Sequence, residues 1–108
     1  MVTVEEEYPK SWNFIKNKKI SQEKIENFFI DFIKRIVKEI KEGKKDDLDI
    51  GDAFQLYIFA VDKGYKFSKQ LERFLINLGD YKLEHKGKYI MPLNSITEVE
   101  SELDSFKS

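Results

Sequence analysis

The sequence predicts a mostly helical α+β domain. Three observations carry that expectation. Residues 22–42 place apolar side chains at helical spacing, residues 50–63 form an almost wholly apolar segment, and residues 80–92, DYKLEHKGKYIMP, alternate in the manner of a β-hairpin. At 108 residues, 41% of them hydrophobic and nine of them Phe, the chain can build one core that buries roughly two-thirds of its unfolded surface. The expected organisation is an N-terminal arm over 1–20 with a short helix in it, followed by a single domain over 21–108.

Residues 1–9 read as frayed or weakly extended. Pro9 suits a first helical position, and a short helix from about 9 to 18 would turn Trp12 and Ile15 inward. Trp12 and Phe14 stand among Lys10, Lys16, Lys18 and Lys19. Such aromatics can lid a core or stack on nucleobases. Ser21 is placed to cap the long helix, whose stripe runs Ile25, Phe28, Phe29, Phe32, Ile33, Ile36, Val37 and Ile40. Gly43 ends it, with Lys38 and Lys41 in the last turn, where cations complement the dipole. Ile30 lies on the edge of this stripe. A second neighbour on the same helix explains it, and so does a homodimer seam.

In the segment IGDAFQLYIFAVDK, Gln55 is the one polar residue between Ala53 and Val61. Phe54, Tyr57, Ile58 and Val61 fall on one stripe, and Leu56, Phe59 and Ala60 cover the flanks. A helix apolar on nearly every side is expected to be surrounded. Phe54, Ile58 and Phe32 are therefore expected in one buried cluster. Asp49 is the expected N-cap and Gly64 the terminating glycine. The acidic run before this helix does not match a calcium loop. Counted from Asp47, glycine falls at the fifth position and Ile58 stands where a bidentate Glu is needed.

Ser68 caps the next helix, expected from about 69 to 78, with Leu71, Phe74, Leu75 and Leu78 inward and Gly79 as its stop. Lys69, Gln70, Arg73 and Asn77 share a sector of about 100° on the opposite side. In the hairpin, turning about Lys86-Gly87, Leu83 pairs with Ile90 on the core face. A capping box, Ser95-x-x-Glu98, opens the last helix, with Ile96, Val99, Leu103 and Phe106 inward.

Composition narrows the chemistry. There is no Cys, hence no disulfide, thiol nucleophile or thiolate metal site. The acidic N-terminus lacks the apolar run of a secretory signal, and no stretch reaches the length of a membrane span. A cytoplasmic, intracellular protein without a membrane partner is expected. His85 is the single histidine, so neither a paired-histidine metal site nor a Ser-His-Asp set is expected. The glycines form no phosphate loop. No catalytic residue, metal ligand or cofactor is expected, and the protein reads as a non-enzyme.

The net charge of −1 hides segregation. Residues 10–45 carry eleven Lys or Arg against five acids, and residues 46–62 carry five Asp without a base. Residues 63–90 carry seven Lys or Arg against three acids. Such blocks neutralise one another inside the fold or leave a basic face for an anionic partner.

The order helix 50–63, tight turn, helix 69–78 and lysine-bearing hairpin resembles the core of a winged helix-turn-helix domain. The resemblance spans about 43 residues and rests on element order without a diagnostic motif. It implies that Lys69, Gln70, Arg73 and Asn77 face bases and phosphates, and that Lys82, Lys86 and Lys88 act as wing contacts. It departs from the family in lacking a strand between the first helices, in placing Glu72 beside the presumed reading face, and in its pI of 5.9. The function implied is a nucleic-acid-binding or regulatory module. The alternative is a protein-binding adaptor or inhibitor docked through the charge-segregated surface.

Overall fold

The computed structural model describes residues 3–17, 19–85 and 93–106. They form α1 (Val4–Glu7), α2 (Pro9–Asn17), α3 (Gln22–Lys41), a 3-10 turn (Asp47–Gly51), α4 (Asp52–Asp62), α5 (Lys69–His85) and α6 (Leu93–Ser105). No strand occurs among the described residues. The α+β expectation with a winged-helix-like hairpin is therefore corrected to an all-helical fold.

The correction centres on Gly79. It does not stop α5, which runs on to His85. A glycine inside a helix forfeits about 1 kcal/mol relative to Ala, and here its missing side chain makes room for the Phe54 ring. A β-carbon at Gly79 would collide with that ring. Beyond it, Lys82, Leu83 and Glu84 are strong helix formers. A five-residue alternation with one apolar member cannot by itself tell a strand from a helix. Tyr81–His85 thus belong to α5, while the expected turn and return strand, residues 86–92, lie outside the described residues.

The caps follow local chemistry more closely. Ser21 accepts a hydrogen bond from the Lys24 N–H and starts α3. Both α3 and α4 end in Schellman motifs. Gly43 (φ 77°) donates to Ile40 O while Lys44 donates to Glu39 O, and Gly64 (φ 96°) donates to Val61 O while Tyr65 donates to Ala60 O. Asp49 does not cap α4, whose N-cap position is Gly51. Its carboxylate accepts instead from the Asp46 N–H at 2.9 Å and closes the 3-10 turn. Residues 4–7 are helical, not extended, because Thr3 accepts from the Glu6 N–H as a side-chain cap. α6 begins at Leu93, so Ser95 stands inside its first turn and not at the cap.

α4 is the hub. It packs against α1, α2, α3 and α5. Its buried face is Ala53, Leu56, Tyr57 and Ala60, one residue out of phase with the expected stripe. Ala53 and Ala60 let neighbouring backbones approach, which bulkier residues at those positions would prevent. The outer face is consequently open. Ile58 is 51% and Val61 44% exposed, and Phe54 and Phe59 are half-buried. Of the cluster expected from Phe54, Ile58 and Phe32, only Phe32 is fully buried. α3 supplies the largest share of the core through Ile25, Phe29, Phe32, Ile33, Ile36 and Val37. Ile30 is covered within the chain and needs no second copy to bury it. Aromatic contacts run from Phe14 to Phe28, from Phe28 to Phe29, then through Phe67 to Tyr57, at centroid separations of 4.8–5.4 Å. They tie α2, α3, the α4–α5 turn and α4 together.

Gly79→Ala is expected to destabilise the fold by about 1–3 kcal/mol through overpacking against Phe54. In a Phe54→Ala background the same change should stabilise, by up to about 1 kcal/mol, as ordinary helix propensity returns. Chemical denaturation of the four-member cycle reads this sign reversal; the same sign in both backgrounds would remove the Phe54–Gly79 contact from the account.

Candidate functional site

α5 presents its two faces as its register requires. Leu71, Phe74, Leu75 and Leu78 are buried, while Lys69, Gln70, Arg73 and Asn77 are exposed together. Ile76, 39% exposed, adds an apolar side chain to the outer surface. Glu72, whose charge would oppose an anion at this face, is half-buried. It accepts a 2.5 Å hydrogen bond from the Tyr57 hydroxyl. Burial and then this carboxylate partner push the Tyr57 phenol up to about 12. The start of α5 is fixed from α3. Glu26 accepts from the Ser68 N–H at 2.5 Å and from Gln22 Nε2 at 3.2 Å.

Lys82 lies in α5 and not on a hairpin strand. Lys86 and Lys88 are outside the described residues. A strand-borne wing contact at Lys82 is therefore corrected to a position on α5. Lys16 in the last turn of α2 and Lys19 of the α2–α3 connection meet Lys63 and Tyr65 of the α4–α5 turn around a cleft of about 480 Å³, floored by Ile15 and Ile20. Among the described residues no acidic side chain lines it. The Tyr65 hydroxyl donates to Ile15 O at 3.3 Å and braces the two segments. Lys66 continues the positive charge along the turn to Lys69. Among the described residues, none of Lys16, Lys19, Lys63, Lys66, Lys69 and Arg73 pairs with a carboxylate. The clustering of lysines at 16–19 and 63–66 was visible in the sequence, but their convergence was not, because 44 or more residues separate the two groups.

A second cleft, of about 490 Å³, lies where α1 and α2 meet α4. Val4, Trp12, Ile58 and Phe59 form its apolar walls, and Glu5 and Asp62 stand among its polar residues. Among the described residues no lysine or arginine lines it, and the Lys63 ammonium stands 5.5 Å from the Phe59 ring centroid. Trp12 stacks on Phe59, with ring centroids 3.7 Å apart and planes 3° from parallel.

Glu7, Asp49 and Asp52 bring carboxylate oxygens within 4.8 Å of one another, the described residues best placed to hold a cation. Asp52 is 6% exposed and accepts from the Tyr8 hydroxyl at 2.8 Å. Burial first, then this hydrogen bond and the surrounding acids, raise the Tyr8 phenol far above its ordinary range and keep it neutral. The Lys45 ammonium stands 4.9 Å from the Tyr8 ring centroid. The Tyr8–Asp52 hydrogen bond ties the α1–α2 junction to the start of α4.

Comparison with known protein families, curated proteins and solved structures finds no match. No described helix is long and apolar enough to cross a membrane.

The Tyr57–Glu72 bond has a defined pH signature. The folded phenol titrates near 12 against 10.0 for the ordinary side chain. Its stabilising contribution is complete below pH 10.0 and is lost as pH rises through 12. Denaturant melts of wild type and Tyr57→Phe should therefore converge over that window, with the wild type the more stable at neutral pH. A constant gap across the window would mean that the phenol is not held by Glu72.

Proposed function

We propose that the chain is a non-enzymatic nucleic-acid-binding module. It lays the exposed face of α5 and the adjoining lysine cleft along a phosphate backbone. One observation carries this reading: six exposed cations, Lys16, Lys19, Lys63, Lys66, Lys69 and Arg73, come from three segments and have no acidic partner among the described residues. Three of them, Lys16, Lys19 and Lys63, share one cleft, and grouped, unneutralised cations are the electrostatic footprint of a polyanion site. Lysine suits phosphate as a point charge, while Gln70, Arg73 and Asn77 are the types that reach base edges. Tyr57 supports the arrangement by engaging Glu72. The acidic pI does not oppose it, because much of the negative charge is grouped elsewhere, at residues 5–7, 46–52 and 98–104.

Fluorescence anisotropy with random duplex DNA, single-stranded DNA and RNA, at two salt concentrations, tests the reading. Binding is expected to weaken with salt. The Lys16→Ala/Lys63→Ala double variant should reduce the salt slope by about two, since each phosphate contact releases close to one counterion. Arg73→Ala should weaken binding to a preferred sequence by about 1–3 kcal/mol. All these side chains are exposed, so melting temperatures should hold. Failure to bind any of the three nucleic acids at low salt, or binding that survives both variants intact, contradicts the proposal.

A further inference from the structure

From the cleft between α1, α2 and α4 we infer a second site, independent of the nucleic-acid reading: a groove for a basic amphipathic helix of a partner protein. Two features specify the occupant. The walls are apolar where a soluble surface has no need of it. Ile58 is half-exposed at the mouth, and Trp12 and Phe59 remain half-buried although their rings are stacked. Val61, one turn beyond Ile58 on α4, extends the exposed apolar surface. Among the described residues the charged groups that line the cleft are of one sign, Glu5 from α1 and Asp62 from the end of α4, with Glu6 exposed beside Glu5 and the uncharged Thr3 and Gln55 completing the polar lining. An apolar trough with carboxylates at its edge complements a helix that has an apolar stripe flanked by Lys or Arg. The trough is itself bounded by helices, so a helix packed in it meets ridges and grooves of its own kind. The same acids would repel an anionic membrane surface or a nucleic acid. This assigns the two clefts to different partners: phosphate at Lys16, Lys19 and Lys63, and a cationic helix at Ile58 and Phe59.

Trp12 is the single tryptophan of the chain, and it reports on the groove directly. The probes are a synthetic Leu/Lys amphipathic peptide of about 18 residues, five helical turns, and a Leu/Glu peptide with the same leucine positions. Neither peptide contains aromatic residues. Titration of the intact protein with the Leu/Lys peptide should shift Trp12 emission saturably, with affinity at least about tenfold above that for the Leu/Glu peptide. Ile58→Lys, an exposed site that leaves the core untouched, should abolish the shift, whereas Ile76→Lys on α5 should leave it unchanged. The Glu5→Lys/Asp62→Lys variant should invert the preference between the two peptides. Equal affinity for both peptides, no saturable shift, or a response indifferent to Ile58→Lys would overturn the inference. So would sedimentation showing that the protein self-associates and that Ile58→Lys makes it monomeric, since the groove would then be covered by a second copy.

Discussion

Two alanines decide which way α4 faces. Ala53 and Ala60 are both essentially inaccessible and sit on one side of the helix with Leu56 and Tyr57. Small side chains there let the flanking backbones come close, and close packing is what makes an interior cohesive. With that side inward, the larger apolar residues are displaced to the flanks or to solvent. Phe54 swings over Gly79 of α5. Tyr57 reaches Glu72 with its hydroxyl. Phe59 receives the Trp12 ring, and Ile58 and Val61 are left open. The path of α5 and the form of the acidic cleft both follow from the rotation of this one helix.

The electrostatic layout follows from the same packing. α1 and α2 lie against α4, and the acids of α1 are thereby placed beside the exposed end of α4, at Glu5 and Asp62. The Schellman turn at Gly64 sends the chain back towards the α2–α3 connection, where Lys63 and Tyr65 join Lys16 and Lys19. A near-neutral sequence thus forms, among the described residues, one cleft whose charged lining is lysine and another whose charged lining is carboxylate. Net charge alone conceals this, because it sums over surfaces that a partner would meet one at a time.

What was legible in the sequence is what local chemistry decides. Ser21, Gly43 and Gly64 act within a few residues of themselves, and the long stripe of α3 is set by its own period. The exposed quartet Lys69, Gln70, Arg73 and Asn77 is likewise a matter of register on one helix. What was not legible depends on distant partners. Gly79 reads as a stop until Phe54, 25 residues earlier, is seen to need the space. The bulky residues of α4 look like its inner face because side-chain size is visible in a sequence and backbone approach is not. Asp49 reads as the N-cap of α4, and nothing local shows that Asp52, in the first turn of that helix, is held by Tyr8 across 44 positions. The lysine cleft was missed for the same reason.

The rotation of α4 is the claim on which the rest depends, and the absence of cysteine from the chain allows it to be measured directly. Single thiols introduced by Ile58→Cys and Ala60→Cys can be followed by their reaction with a disulfide reagent under native conditions. Ile58→Cys should react like a free thiol. Ala60→Cys should be slowed by orders of magnitude, reacting through opening of the fold. The opposite order, a protected thiol at 58 and a reactive one at 60, would show that α4 buries its other face, and would contradict both clefts and the course of α5.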